Sequence, residues 1–331
     1  MSQSSRLDPA AVERLLTIEL ARATERAAVA AARWRGRGDE MAADRAAAAA
    51  MREELARLPV RGRVVIGEEE SGDSAGLHVG LEIGAVSGMR VELAVAPLEG
   101  ATLCAKDQAG AIAIAAAASS GALLHAPDCY MDKIAIGPGY PEGVVDLDRD
   151  PAENVRALAE AKGVTTGEIT VCVLDRPRHA QIVSKCRKAG ACVRLITDGD
   201  VAGVIFVTNP EETGVDMYLG SGGAPQGVLA AAALRCAGGQ MQGRLVLETA
   251  EQRACALRHG LADLRKKYGV ADMVTGDVVV CVTGVTDGRL VGGVVLDKSG
   301  IETETLVYRS ATGTVRRIGA RRRPGAFLSL Q

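Results

Sequence analysis

The stretch that decides the fold is Val91-Glu92-Leu93-Ala94-Val95-Ala96-Pro97-Leu98-Glu99-Gly100-Ala101. Its apolar residues alternate along the first half, which is typical of a buried β-strand. Because proline has no N–H to donate to a sheet, we expect the strand to end at Pro97. Gly100 then permits a tight turn, which presents the carboxylate of Glu99 at the end of the strand. A carboxylate beside the free N–H groups of a turn is suited to hold both a cation and an anionic group.

The composition is that of an α/β protein. The chain has 331 residues, of which 47% are hydrophobic and 2% aromatic, so small aliphatic side chains must fill the core. This length suits one large or two medium domains. The formal net charge is −2, and we expect the basic cluster Arg321-Arg322-Arg323 to be a solvated tail. These features argue against nucleic acid as a partner.

The cysteines and the N-terminal residues indicate the cellular compartment in which the protein is expected. Eight cysteines are spread from Cys104 to Cys281 without a Cys-x-x-Cys pair, which favours neither a zinc site nor a disulfide framework. The first nine residues are polar and form no apolar signal core, and no apolar run reaches the length of a membrane span without interruption. We therefore expect a cytoplasmic protein that does not enter a membrane.

Helices are predicted before the first strand. Asp8-Pro9, a capping residue followed by proline, begins the first helix, and Asp39 caps the second. Asp150-Pro151 opens a further helix, after which strands and helices alternate. Two segments of the tail, 277–282 and 301–318, are rich in Val and Thr and are predicted to form strands of either sheet. The predicted domains are residues 1–148 and 149–331.

An acidic run follows the first predicted strand. Glu68-Glu69-Glu70 places three successive carboxylates at a strand end, where they repel one another unless solvent or a cation intervenes. The run is therefore either an exposed acidic loop or part of a divalent-metal site. The residues alone leave both readings open.

The opening stretch resembles the signature of the class II fructose-1,6-bisphosphatases, relatives of the lithium-sensitive, metal-dependent sugar phosphatases. That pattern is roughly Asp-hydrophobic-Ala-hydrophobic-Asp-Pro-hydrophobic-Glu-Gly-Thr, and it aligns with the residues from Glu92 to Ala101. Similar segments follow at 125–133, 176–179 and 198–200. The resemblance implies an αβαβα-like, two-domain sugar-phosphatase fold with its site in the cleft. It also implies hydrolysis of fructose 1,6-bisphosphate or sedoheptulose 1,7-bisphosphate in carbohydrate metabolism and gluconeogenesis.

The resemblance implies a Mn²⁺ or Mg²⁺ site with weakened ligands. The family's ligand positions are Asp44, Glu68, Ala96, Glu99 and Gln226. Asp44, Glu68 and Glu99 keep their carboxylates and are the candidate catalytic residues. Ala96 supplies no ligand atom, Gln226 lacks the charge, and Ala101 stands where the family has a threonine that helps to activate water. Because these ions prefer anionic oxygens, we expect weaker metal binding, which Glu69 and Glu92 are candidates to offset.

The resemblance also implies a sugar-phosphate pocket. Its positions are Glu99, Gly100, Tyr130, Arg176, Arg178, His179, Asp198, Asp200 and Gly223. In the family the Arg-His pair meets a phosphate, and the two aspartates hold sugar hydroxyls. The residues alone equally allow Arg178-His179 to be surface residues at a helix start, and Asp198-Gly199-Asp200 to be an ordinary turn.

Two functions are compatible with these departures. One is a slowed fructose-bisphosphatase, and the other is an inactive relative that binds a sugar phosphate or pairs with an active subunit. The missing groups at Ala96, Ala101 and Gln226 favour slow or absent turnover, because each well-placed electrostatic group commonly contributes about a hundredfold in rate. The resemblance further implies a homodimer or homotetramer.

Overall fold

The computed structural model describes residues 9–68 and 76–323. Its helices are α1 (Pro9–Ala32), α2 (Glu40–Leu55), α3 (Ala101–Ala105), α4 (Pro151–Lys162), α5 (Ala180–Lys188), α6 (Asp200–Ile205), α7 (Pro210–Thr213), α8 (Ala224–Ala237), α9 (Ala250–Arg258) and α10 (Val270–Met273). Its strands are β1 (Arg61–Ile66), β2 (Glu82–Gly84), β3 (Arg90–Glu99), β4 (Ile112–Ser119), β5 (Tyr130–Ile136), β6 (Thr170–Leu174), β7 (Cys192–Ile196), β8 (Met217–Gly223), β9 (Gln240–Val246), β10 (Tyr268–Gly269), β11 (Val278–Gly284), β12 (Val295–Asp297), β13 (Gly300–Arg309) and β14 (Thr314–Arg322). The predicted cap Asp8 and the acidic residues Glu69 and Glu70 lie outside the described residues.

Local sequence signals explain where the helices begin. Asp39 caps α2 by accepting a hydrogen bond from the Ala42 N–H at 2.9 Å, as predicted. Asp150 caps α4 in the same way and forms a reciprocal capping box with Glu153, while Pro151 fills the first helical position. The helix ends at Gly163, whose φ of 73° is the left-handed conformation that favours glycine.

The decisive strand, β3, is longer than predicted. It continues through Pro97 to Glu99, so the prediction that it ends at Pro97 is wrong. The pairing with β4 shifts between Ala96 and Glu99, which is a bulge-like interruption of the ladder. Proline is tolerated there because the interruption removes the need for its missing N–H. The predicted turn follows at Gly100, whose φ is 86°.

Two mixed sheets organise the chain. The first has the order β12-β13-β11-β4-β3-β1-β2 with β14 beside β13, and the second has the order β10-β9-β5-β8-β6-β7. The C-terminal strands therefore join the sheet built by the N-terminal strands. Along the chain, the first change of sheet falls between β4 and β5, whereas the predicted domain boundary lies at residues 148 and 149. That boundary stays a prediction.

The helices and sheets form five layers. Along β4, Ala113, Ala115 and Ala117 face the core with α1 and α2, whereas Ile114 and Ala116 face the core with α8. The second sheet covers the other side of α8 and packs its outer face against α4 and α5. The central strands of the first sheet, such as β4 and β11, are thus buried on both faces and consist of runs of small apolar residues. The layer order αβαβα confirms the predicted α/β fold class.

Two further expectations concern the surface. Arg321 and Arg322 belong to β14, so the prediction that this cluster is a tail is wrong for these two residues, whereas Arg321 is exposed to solvent as predicted. Arg322 pairs with the buried Glu25. Across the described ranges, no helix is both long enough and apolar enough to cross a membrane.

Candidate active site

Two carboxylates lie close enough to interact electrostatically near the C-terminal end of β1. Asp44 lies on α2, whose buried face packs against β3 and α3, and Glu68 follows β1. Burial, and then the neighbouring charge of Glu68, raise the pKa of Asp44 to about 6. The negative charge of Glu68 raises the free energy of ionising Asp44, so a cation placed between the two carboxylates would be stabilised.

The hydrogen bonding of Glu68 fits such a cation. Its Oε2 accepts from the Leu77 N–H at 3.0 Å, whereas its buried Oε1 has no hydrogen-bond partner among the residues described. Buried polar atoms are nearly always satisfied. Mg²⁺ often uses one or two carboxylates together with waters and substrate phosphates. Asp44 and Glu68 therefore fit Mg²⁺ or Mn²⁺, although residues 9–68 and 76–323 contain no group of three or more acidic, His or Cys side chains placed to hold a metal.

The first sheet brings further site residues to the same edge. Strands β1 and β3 are parallel, with Ile66 opposite Ala94. Their C-terminal ends, which carry Glu68 and Ala96, therefore lie side by side, since parallel neighbours are about 4.8 Å apart. Glu99 ends β3 just beyond.

Glu99 connects this edge to the second sheet. Its Oε1 accepts from the Val201 N–H at 3.5 Å, which joins the end of β3 to α6. Burial, and then the charges of Asp200 and Asp198, raise the pKa of Glu99 to about 8, against a smaller lowering by Lys133. In the absence of a metal ion, the raised pKa therefore favours the protonated form of Glu99 at neutral pH.

Two glycines at the end of β8 make room for polar side chains. A Cβ placed at Gly222 would lie 2.0 Å from Asp200 Oδ2, and one at Gly223 would lie 1.9 Å from the Gln226 amide oxygen. Neither position tolerates a side chain without displacing these groups. Glycine here explains how Asp200 and the first turn of α8 approach the strand so closely.

Arg178 and Tyr130 form one wall of the site. The Arg178 guanidinium carbon lies 4.8 Å from the centroid of the Tyr130 ring, a cation–π contact. Arg178 Nη2 also donates to the Ser221 carbonyl at 2.8 Å. Tyr130 opens β5 opposite Gly223 of β8 and is 49% exposed, so its ring is available to a ligand.

Comparison with known proteins agrees with this geometry. A family model described as bacterial fructose-1,6-bisphosphatase, glpX-encoded, matches residues 14–322. A D-fructose 1,6-bisphosphatase class 2/sedoheptulose 1,7-bisphosphatase of Synechococcus sp. (strain JA-3-3Ab) is 38% identical over 326 residues, covering 91% of this chain and 93% of the relative. One of the same description from Prochlorococcus marinus (strain NATL1A) is 37% identical over 319 residues, covering 92% and 95%. The chain belongs to the class II fructose-1,6-bisphosphatase family.

Three positions depart from the pattern of the class II fructose-1,6-bisphosphatases. Ala96 lies at the interruption of β3, Ala101 is the first residue of α3, and Gln226 lies in the first turn of α8. Gln226 keeps an oxygen but turns it against Gly223. Of the five predicted ligand positions, Asp44 and Glu68 thus form the pair that retains clustered carboxylates.

Glu92 does not replace the missing ligands. Its carboxylate accepts from the Leu123 N–H at 3.1 Å and lies 3.0 Å from His125 Nε2. It also lies seven residues before Glu99 on the same strand, which is roughly 20 Å away at about 3.3 Å per residue. The hypothesis that Glu92 offsets the weakened metal site is therefore wrong, and Glu69 lies outside the described residues.

His179 is held inside the fold of this bisphosphatase-family chain. It is 2% exposed, its Nδ1 contacts the Leu174 carbonyl at 2.9 Å, and its Nε2 accepts from the Ser221 N–H at 2.8 Å. Burial is the main cause that lowers its pKa. Because both ring nitrogens are engaged, His179 fits the role of fixing β8 better than the predicted contact with a phosphate.

The other predicted substrate residues lie around α6. Arg176 Nη1 donates to the Thr197 carbonyl at 2.6 Å, and Asp198 Oδ1 accepts from the Gly199 N–H at 2.9 Å. Gly199 has a φ of 79°, so 198–200 is a turn, as one reading held. The same turn places Asp200 in the site, so the two readings are compatible.

One residue of the site was missed. Lys133 donates to Asp200 and to the Gly223 carbonyl, and is fully buried. The strand alternation of Met131, Lys133 and Ala135 on one buried face is the signal that could have found it, since a buried ammonium requires an acidic partner.

Proposed function

We propose that this protein hydrolyses fructose 1,6-bisphosphate to fructose 6-phosphate and phosphate with a divalent metal ion, at a rate below that of a complete family site. The observation that carries the proposal is the contact chain that links Tyr130 through Arg178, β8 and Lys133 to Asp200 and Glu99. These contacts join two sheets at one edge, where a sugar bisphosphate can meet basic, acidic and aromatic groups together. Family membership over most of the chain supports the reaction class.

The chain's own side chains bind and orient the substrate. Arg178 offers its guanidinium to a phosphate while its stacking on Tyr130 limits its rotamers. Asp198 and Asp200 offer acceptors to sugar hydroxyls. Glu99, kept protonated near neutral pH by burial and by the two aspartates, holds a proton on its carboxyl group at the end of β3. Such positioning is a large part of catalysis in phosphoryl transfer.

A metal ion fits at Asp44 and Glu68. Mg²⁺ or Mn²⁺ bound there would polarise a phosphoryl oxygen and lower the pKa of a bound water. The choice between the two ions rests on affinity and coordination preference, and both accept carboxylate oxygens. The open acceptor Glu68 Oε1 supports this assignment.

The departures Ala96, Ala101 and Gln226 support a reduced rate. Removing one well-placed electrostatic group commonly lowers kcat about a hundredfold or more. The three losses act in one site, so their effects do not simply multiply. Slow turnover is therefore the expected outcome.

The test is phosphate release from fructose 1,6-bisphosphate and from sedoheptulose 1,7-bisphosphate with Mn²⁺ or Mg²⁺. Asp44→Asn and Glu68→Gln should abolish the metal-dependent release, because they remove the paired carboxylates. Glu53→Gln on α2 is the matched control, since Glu53 is exposed and pairs with Arg26 outside the site. Release that persists without metal, or equal loss in the control, would contradict the proposal.

A second function is favoured by the same departures. The substrate wall of Tyr130 and Arg178 is intact, whereas three catalytic positions are not, so binding without turnover is the alternative. Calorimetric binding of fructose 1,6-bisphosphate with no phosphate release would establish it. Size-exclusion chromatography with light scattering would test the homodimer or homotetramer, and the cytoplasmic location and gluconeogenic role stay predictions.

A further inference from the structure

Lys133 is a fully buried cation in the middle of β5. Its Nζ donates to Asp200 Oδ2 and, at 2.7 Å, to the carbonyl of Gly223. Placing an unpaired ammonium in a protein interior is strongly unfavourable. The ammonium is therefore committed to these acceptors, which belong to α6 and to the end of β8.

The surrounding backbone is shaped to admit this contact. Lys133 pairs with Gly220 of β8, and a Cβ at Gly222 would lie 3.3 Å from Lys133 Nζ and 2.0 Å from Asp200 Oδ2. Gly227 of α8 leaves similar room, since a Cβ there would lie 3.4 Å from Lys133 Cε. Glycines on two elements thus open a path from β5 to Asp200.

We propose that Lys133 is a positioning residue for the sugar-binding turn. Its ammonium fixes the Asp200 carboxylate through Oδ2 and ties it to Gly223, which leaves Oδ1 directed for a sugar hydroxyl. The inference rests on the proposed function, because it assigns Lys133 to the same substrate site. It differs from a purely structural role, since an ion pair that only stabilises the fold would leave substrate affinity unchanged when lost.

The protein contains a matched control pair. Lys162 Nζ lies 2.6 Å from Asp216 Oδ1, and Asp216 is as buried as Asp200, at 7% exposure each. Asp216 Oδ2 accepts from the Thr170 N–H, away from the substrate residues. Lys162→Met therefore breaks a second lysine–aspartate pair in the same half of the molecule without touching the site. The two pairs match in the burial of the aspartate and not of the lysine, since the Lys162 side chain is 33% exposed and Lys133 is fully buried.

The experiment compares Lys133→Met with Lys162→Met in the full chain with Mg²⁺. KM for fructose 1,6-bisphosphate, or the calorimetric Kd, should rise about tenfold or more in Lys133→Met and stay unchanged in Lys162→Met, because a misplaced acceptor weakens binding. Amide hydrogen exchange should quicken at residues 198–201 in Lys133→Met alone. The double variant Lys133→Met, Asp200→Asn removes both charges, and its KM should exceed that of Asp200→Asn by less than twofold.

The outcomes separate the two claims. An unchanged KM in Lys133→Met, or equal rises in both lysine variants, overturns the positioning role. If Lys133→Met fails to fold, the double variant decides instead. A KM well above that of Asp200→Asn then means that Lys133 does not act through Asp200, which overturns the positioning role. If the unmodified protein neither binds nor hydrolyses the bisphosphate, the proposed function fails. Faster exchange confined to 198–201 then still supports the positioning of the turn, and unchanged exchange overturns it.

Discussion

Replacing Glu99 by glutamine should stabilise the metal-free protein, increasingly so as pH rises. Burial and the charges of Asp200 and Asp198 raise the pKa of Glu99 from 4.5 to about 8. An acid whose pKa is raised by folding contributes its full stability below the pKa that it has in the unfolded state. That contribution is lost as the pH rises through the pKa that it has in the folded state. Between pH 4.5 and pH 7 the free energy of unfolding falls by about 1.36 kcal/mol for each of about 2.5 pH units, or by roughly 3 kcal/mol in all. Movement of the side chain toward solvent relieves part of it, so the expected gain is about 1–3 kcal/mol at pH 7.

The assay is urea unfolding of Glu99→Gln and the unmodified protein with a chelator at pH 5, 6, 7 and 8. The two curves should nearly coincide at pH 5 and separate steadily above it, because glutamine does not ionise. Titration of Asp44 is common to both proteins and cancels in the difference. Glu53→Gln on α2 is the control, since its carboxylate is exposed and pairs with Arg26, which does not titrate between pH 5 and pH 8. A pH-independent difference, no gain at pH 8, or the same rise in the control would refute the reasoning.

Three further outcomes are expected. Mn²⁺ should raise the Tm of the unmodified protein but not that of Asp44→Asn, and the affinity for Mn²⁺ should fall below about pH 6, where Asp44 protonates. An equal rise in Tm in both proteins would count against the metal site. Arg178→Lys should raise KM several-fold while unfolding free energy changes by less than about 1 kcal/mol, because lysine loses the Tyr130 stacking and the fork geometry; an unchanged KM would remove Arg178 from the pocket. His179→Phe should lower the unfolding free energy by about 2–3 kcal/mol in urea, since the buried Ser221 N–H and Leu174 carbonyl lose their partner; a neutral result would contradict the structural role.

Much of the fold follows from local sequence signals. The caps Asp39 and Asp150 begin helices as expected, because a side-chain oxygen satisfies the first backbone N–H groups wherever the helix lies. The prediction that β3 ends at Pro97 is wrong because the bulge that accommodates proline depends on the neighbouring strand β4, which the local sequence does not reveal. No strand is predicted over β9, because Gly243 interrupts its alternating residues and glycine weakens a strand on its own. Pairing with β5 supplies the order.

The sequence predicts which residues belong to the candidate site but not the contacts that those residues make. The sequence resemblance names Asp44, Glu68 and Glu99 as site residues, which stays a prediction. The parallel pairing of β1 with β3 explains how Glu68 and Glu99, far apart in the chain, come to one edge. The failure of Glu92 to serve the site follows from strand length, which separates the two ends of β3. The burial of His179 depends on packing between elements that no local pattern specifies.

The central claim is that a phosphatase site persists in this chain but lacks three groups. The most direct test is the ratio of kcat/KM for phosphate release from fructose 1,6-bisphosphate between the triple variant Ala96→Asp, Ala101→Thr, Gln226→Glu and the unmodified protein, with Mn²⁺ in excess. The triple variant should gain about a hundredfold or more in kcat/KM if the three groups are what the site lacks. A ratio near one with robust turnover by the unmodified protein would contradict the claim that the site is impaired. No turnover by either protein would contradict the assignment of fructose 1,6-bisphosphate as the substrate.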